Sequence, residues 1–187
     1  MIDENVAVVL WSGGLFSTAV LVDLLKRGCV VYPIFVDYGQ KQALAQVEAC
    51  RDIMRYMRLD MQEQYHRCMP IRFFRINTVD EHSIMPLLFS LGMGAAKTLG
   101  GAPLYVGQLV DDDSVRSSVS YSNTVIPFDG MSTSAAKHTD YFTAKAFAFD
   151  AHTFSCTDPS KVEGIWNVCG TCASCYTAKV MLLKDKQ

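Results

Sequence analysis

Val6-Ala7-Val8-Val9-Leu10-Trp11-Ser12-Gly13-Gly14-Leu15-Phe16-Ser17 is the stretch on which the fold turns. Six apolar residues read as a strand buried on both faces. The run breaks at paired glycines and restarts with helical spacing. A strand, a glycine turn and a helix start together make an anion cradle. Glycine lets the backbone approach the anion, and the first amides of the helix face it at the positive end of the dipole. Ser12, Gly13, Gly14, Leu15 and Ser17 are therefore candidate nucleotide-binding residues. The turn is neither a Gly-x-x-x-x-Gly-Lys-Ser/Thr loop nor a Gly-x-Gly-x-x-Gly fingerprint. The alternative reading is a tight turn that holds no ligand.

Outward from this turn, strand and helix patterns alternate. Ser17 is placed to cap a helix carrying Val20, Leu21, Leu24 and Leu25, with Gly28 as its stop. Val30–Val36 reads as a second strand. Asp37-Tyr38-Gly39-Gln40 then turns into a helix with Ala43, Val47, Cys50, Met54 and Met57 at helical spacing. Ile71–Ile76 reads as a third strand, Ile84–Leu99 as an apolar helix stopped by Gly100-Gly101, and Leu104–Val106 as a fourth strand ending at Gly107. Asp111–Thr124 is polar and reads as a loop over the site, with a plain surface loop as the alternative. Ser132–Phe149 reads as a helix.

Repeated strand–helix units predict an α/β fold with a doubly wound parallel sheet. Ligands of such sheets sit beyond the carboxyl ends of the strands. The loops after Trp11, Val36 and Gly107 should border one crevice, which adds Tyr38, Gly39, Gln40 and Gly107 to the candidate nucleotide residues.

At 187 residues the chain is expected to be a single domain. Half of it is hydrophobic and 19% charged, which excludes broad disorder. The formal net charge of −2 gives no general reason to expect nucleic-acid or anionic-membrane binding. The arginines between Arg51 and Arg75 are interrupted by Asp52, Asp60 and Glu63 and read as a solvated face. The acidic start, Met1-Ile2-Asp3-Glu4, is unlike a signal peptide, and no apolar run approaches the ~20 residues that span a bilayer. A soluble cytoplasmic protein is expected.

There are seven cysteines. Cys29 and Cys50 read as small core residues, and Cys68 is isolated in sequence. The other four, Cys156, Cys169, Cys172 and Cys175, cluster in a tail at about residues 153–180. The Cys-x-x-Cys-x-x-Cys spacing lets side chains converge on one ion, with Gly170 easing the turn. Four thiolates suit a closed, structural zinc site, and an iron–sulfur cluster is the rival occupant. Such a site contributes on the order of 10 kcal/mol to local folding. His66, His82, His138 and His152 form no ligand pair at helical spacing and read as structural.

With these motifs placed, the chain resembles the 7-cyano-7-deazaguanine synthase (QueC) family of the PP-loop superfamily. The resemblance rests on the Ser12–Ser17 loop, Phe35-Val36-Asp37-Tyr38-Gly39-Gln40, Lys137, and Thr153-Phe154-Ser155-Cys156 followed by the cysteine triplet. It implies a zinc knuckle, ATP with Mg²⁺, a deazaguanine substrate and a homodimer, with Lys137 a candidate catalytic residue. It implies adenylation of 7-carboxy-7-deazaguanine, then reaction with ammonia to an amide and a nitrile. Two further readings stay open: conjugation of the activated base to a protein amine, as in antiviral operons, and a non-catalytic subunit binding a nucleobase, nucleotide or protein. The chain departs from the family pattern on the substrate side. Phe16 stands where the loop has Asp. Lys41, Gln42 and Ala45 stand where a basic residue, a His and a Glu follow Asp-Tyr-Gly-Gln. His82-Ser83-Ile84-Met85 replaces Pro-x-Arg-Asn, and Tyr121-Ser122-Asn123-Thr124 is the nearest match to Tyr-Pro-Asp-Cys-Arg.

Overall fold

The first apolar run forms strand β1 (Val6–Leu10), and the second forms β2 (Val30–Asp37). They pair in parallel from Val6↔Val30 to Leu10↔Ile34. The computed structural model describes residues 5–77, 84–107 and 152–176. Within these, β3 (Arg72–Arg75) pairs in parallel with β2, and β4 (Leu104–Val106) with β1, so the strand order is β3-β2-β1-β4.

Side chains alternate across a sheet with period two, and both faces are covered here. Val9 of β1 and Trp11, the residue after it, share one face with Val31 and Phe35, under α1 (Leu15–Lys26) and α2 (Ala43–Asp60). Val8 and Leu10 share the other with Ile34, Val36 and Leu104, under α4 (Ile84–Thr98). Burial on both faces is why β1 and β2 read as continuous apolar runs. The doubly wound parallel architecture is the one expected from the alternating pattern.

The differences are local. The short helix α3 (Gln62–Arg67) and a two-stranded antiparallel hairpin, β5 (Ser160–Val162) and β6 (Ile165–Asn167), carry no periodic signal long enough to read. The third strand is shorter than Ile71–Ile76, and all four of its residues are exposed, because it lies at the sheet edge. Cys29 is only half-buried where α1 ends, whereas Cys50 and Cys68 lie in the core. Ser17 is not the cap of α1: Gly14 is the N-cap, and Ser17 sits inside the first turn. The arginines from Arg51 to Arg75 are exposed or half-exposed, as a solvated face should be. Among the described residues no helix is long and apolar enough to cross a membrane. The expected loop at 111–124, the helix at 132–149, Lys137, His82 and His138 lie outside the described residues.

Candidate functional site

The β1–α1 turn is built around two close backbone approaches. Gly13 has φ +72°, and a Cβ there would lie 2.7 Å from the Gln46 carbonyl oxygen and 2.9 Å from Cys50 Sγ. Only glycine meets both the left-handed backbone and the contact with α2. A Cβ on Gly107 would lie 2.2 Å from Ser17 Cα. The end of β4 is thus seated directly against the first turn of α1.

Hydroxyls hold the turn in shape. The Ser12 N–H donates to Ser17 Oγ at 3.2 Å, the two hydroxyl oxygens are 3.1 Å apart, and Ser17 Oγ donates to the Gly14 carbonyl at 3.2 Å. Below them the Trp11 indole N–H donates to Thr18 Oγ1 at 3.0 Å in the buried core. Phe16, half-buried, packs beside Leu15 against the core.

The β2–α2 loop is pinned by its own amides. The Tyr38 N–H donates to Gln40 Oε1 at 2.8 Å, and the Gly39 N–H to Asp37 Oδ1 at 3.0 Å. Gln40 Nε2 donates to the Val36 carbonyl and to Gln46 Oε1, both at 3.2 Å. Gln46 is a buried polar residue on α2 that sequence reasoning passed over. Helical spacing marks it as facing the core, and nothing local marks it as facing a cavity.

Two cavities of about 210 Å³ each meet at the strand ends. Ser12, Ser17, Gln46 and Gly107 line both. The first also has walls from Trp11, Phe35, Tyr38 and Gln40. The second is bounded by Gly14, Leu15 and Phe16 together with Ser155, Thr157 and Ser174 from the tail. Their combined size suits a small ligand, since such sites run ~300–1,000 Å³. Of the candidate nucleotide residues, Ser12, Gly14, Leu15, Ser17, Tyr38, Gln40 and Gly107 border this space. Gly13 is packed behind it and Gly39 is exposed. No described carboxylate lines either cavity. The described donors therefore fit phosphate oxygens through N–H and O–H groups, and among the described residues none that lines the space is a Mg²⁺-ligating carboxylate.

The tail reaches the turn from far along the chain. The Phe154 N–H donates to the Gly13 carbonyl at 2.9 Å, and the Leu15 N–H donates to Ser155 Oγ at 2.9 Å. Ser155 thus supplies the cap that α1 lacks locally, from 140 residues away. Contacts with α2 and the loop before it steady the tail: the Trp166 indole N–H donates to Glu48 Oε2 at 2.7 Å, Lys41 pairs with Asp158 at 2.9 Å, and the His152 ring stacks on Tyr56.

The sulfur atoms of Cys156, Cys169, Cys172 and Cys175 lie within 4.8 Å of one another. Tetrahedral zinc with bonds near 2.3 Å needs sulfurs about 3.8 Å apart, so the four can close on one ion with small shifts. Amide donors are already aimed at the sulfurs: Cys169 N–H to Cys156 Sγ at 3.3 Å, Cys172 N–H to Cys169 Sγ at 3.3 Å, and Cys175 N–H to Cys172 Sγ at 3.4 Å. Such donors stabilise thiolate ligands. Gly170, φ +75°, makes the turn between them. Burial alone would raise Cys172, but the Thr157 hydroxyl and N–H and the Cys175 N–H bring it down to about 5. The Thr171 and Cys172 N–H groups lower Cys169. Burial pushes Cys156 up, and burial with the neighbouring Cys172 thiol pushes Cys175 to about 12. The four sulfurs differ because the fold presents N–H groups to some and shields others.

Residues 6–84 match the family model described as queuosine biosynthesis protein QueC. The chain is 40% identical over 52 residues to 7-cyano-7-deazaguanine synthase 1 of Desulfitobacterium hafniense, and 43% identical over 53 residues to 7-cyano-7-deazaguanine synthase of Acetivibrio thermocellus. Each match takes in 28% of this chain and about a quarter of the relative, 24% and 23% respectively. The fold is similar to that of a 4-thiouridine synthetase solved with RNA and bound ATP, at a TM-score of 0.57 and 17% identity, over 96% of this chain and 50% of that one.

Proposed function

We propose that this QueC-like chain of the PP-loop fold is an ATP-dependent enzyme that activates a 7-carboxy-7-deazaguanine-type base as an adenylate and passes it to an amine. The observation that carries this reading is the pair of abutting cavities. One is lined by hydroxyls and the α1 N-terminus, which suits phosphates; the other is walled by Trp11, Phe35 and Tyr38, which suits a planar base. In the first step a carboxylate oxygen attacks the α-phosphorus of ATP, the α–β anhydride bond breaks, and pyrophosphate leaves. In the second an amine nitrogen attacks the acyl carbon, gives up a proton, and AMP departs with the former carboxylate oxygen. Ammonia gives an amide, and renewed activation a nitrile; an amine on a protein gives a conjugate instead.

Ser12, Ser17 and the positive end of α1 offset the charge that gathers on the departing pyrophosphate. With Phe16 in the loop, any Mg²⁺ rides on the nucleotide and water rather than on a loop carboxylate. Lys137 remains the candidate cation of the reaction, and a homodimer the expected assembly. The thiol cluster is assigned to zinc in a structural role, because four sulfurs leave no open position.

A second reading is favoured by Phe16 and by cavities that no described carboxylate lines: a diverged subunit that binds nucleotide or base without turning it over. Incubation with ATP, 7-carboxy-7-deazaguanine and either ammonia or a protein amine separates the two. Pyrophosphate and AMP release is expected. Its absence with every amine, alongside thermal stabilisation by ATP or base, would favour the binding subunit.

A further inference from the structure

The cysteine tail and the glycine turn are joined through three consecutive residues. Phe154 N–H is bonded to the Gly13 carbonyl, Ser155 Oγ accepts the Leu15 N–H, and Cys156 is a fully buried member of the thiol cluster. Leu15 is the first residue of α1, so its amide is one of the orphan donors that an anion at this turn would use. Ser155 has taken that donor. Its own proton has no acceptor among the described residues, and its side chain borders the cavity lined by Ser12, Ser17, Thr157 and Ser174. A hydroxyl that accepts from an amide is polarised into a stronger donor.

We propose that Ser155 is a phosphate-binding residue held in place by the thiol cluster. Its O–H relays the Leu15 amide to a nucleotide phosphate oxygen, and metal at Cys156 governs how well the turn holds nucleotide. The proposal rests on the nucleotide reading of the turn given above. It adds that the metal centre acts on nucleotide affinity through a covalent distance of one residue. With Cys156 anchored, Ser155 is present at the α1 N-terminus at high effective concentration; with Cys156 released, the strap samples many conformations and the amide returns to water. The occupant of the cluster takes no part in the reaction on this view.

Two measurements on the full chain test it. Hydrogen exchange at the Leu15 amide reads the strap without any nucleotide, and titration calorimetry with ATP reads the site. Stripping metal with a chelator is expected to speed Leu15 exchange at least about tenfold and to weaken ATP binding by a similar factor. Ser155→Ala is expected to keep full metal stoichiometry yet weaken ATP about tenfold, the scale of one hydrogen bond to a charged group. Ser155→Thr, which keeps the hydroxyl, is expected to restore most of the affinity. Wild-type ATP affinity in metal-loaded Ser155→Ala overturns the phosphate role. Unchanged Leu15 exchange after metal removal overturns the coupling. Metal-sensitive Leu15 exchange in a wild-type protein that binds no ATP overturns the nucleotide reading, and the ligand role of Ser155 with it, while upholding the coupling.

Discussion

Replacing Gly107 with alanine sets two opposed effects against each other. Gly107 does not occupy the left-handed region, so alanine should narrow the unfolded ensemble and stabilise by roughly 0.4–1 kcal/mol. Against this, the new Cβ would fall 2.2 Å from Ser17 Cα, 2.3 Å from Ser17 N and 2.6 Å from the Phe16 carbonyl carbon. Ordinary contact begins near 3.4 Å, so β4 and the first turn of α1 must part by more than about 1 Å. All three neighbours are backbone atoms, and no side chain can swing aside. Overpacking costs about 1–3 kcal/mol, and this site should lie at the upper end. The clash wins: a net loss of about 2 kcal/mol, or roughly 4–8 °C in Tm for a chain of this size. Urea unfolding should show a lower midpoint at unchanged slope. Gly94→Ala is the matched control. It lies inside α4 with open space around its Cβ, so it should gain about 0.5–1 kcal/mol. A Gly107→Ala protein as stable as wild type, with Gly94→Ala behaving as stated, would show that β4 does not seat on α1 as described.

Trp11→Phe removes the buried indole donor to Thr18 and should cost about 2–3 kcal/mol by chemical denaturation; a loss under 1 kcal/mol would mean that the bond adds little. Phe16→Asp should not lower ATP affinity in calorimetry, and a clear loss would mark Phe16 as an adapted contact. Cys68, whose thiol burial pushes up to about 12, should resist alkylation at pH 7 in the folded protein, and rapid labelling there by mass spectrometry would refute its burial. Lys41→Ala breaks an exposed ion pair worth under about 1 kcal/mol and should lower Tm by no more than about 2–4 °C. Metal analysis of purified protein should return close to one zinc per chain, and iron with visible absorbance would replace that assignment.

Much of the fold was legible because its signals are local. Val6–Leu10 and Val30–Val36 are read as strands from continuous apolar runs, since both faces are covered. Leu104–Val106 matches its expected bounds. The thiol cluster was legible from spacing, because Cys-x-x-Cys converges within a turn whatever the rest of the chain does. The cap of α1 was not. Ser17 has the right chemistry at the right place in sequence, but Ser155 takes the amide, and no local pattern reports a partner so distant. Gln46 escaped for a related reason: a buried polar residue on a helix gains meaning only when the Gln40 amide and two cavities are seen beside it.

Local sequence dictates the alternation of strands and helices, the glycine turn after β1 and the four converging thiols. Each of these follows from periodicity, backbone conformation or spacing within a few residues. Long-range packing sets the rest: β4 ends against the first turn of α1, Gln40 and Gln46 close one wall of the crevice, and the cysteine tail straps the turn through Phe154 and Ser155. Those contacts join segments far apart in the chain, and their energies depend on distances that exist only after the sheet has assembled.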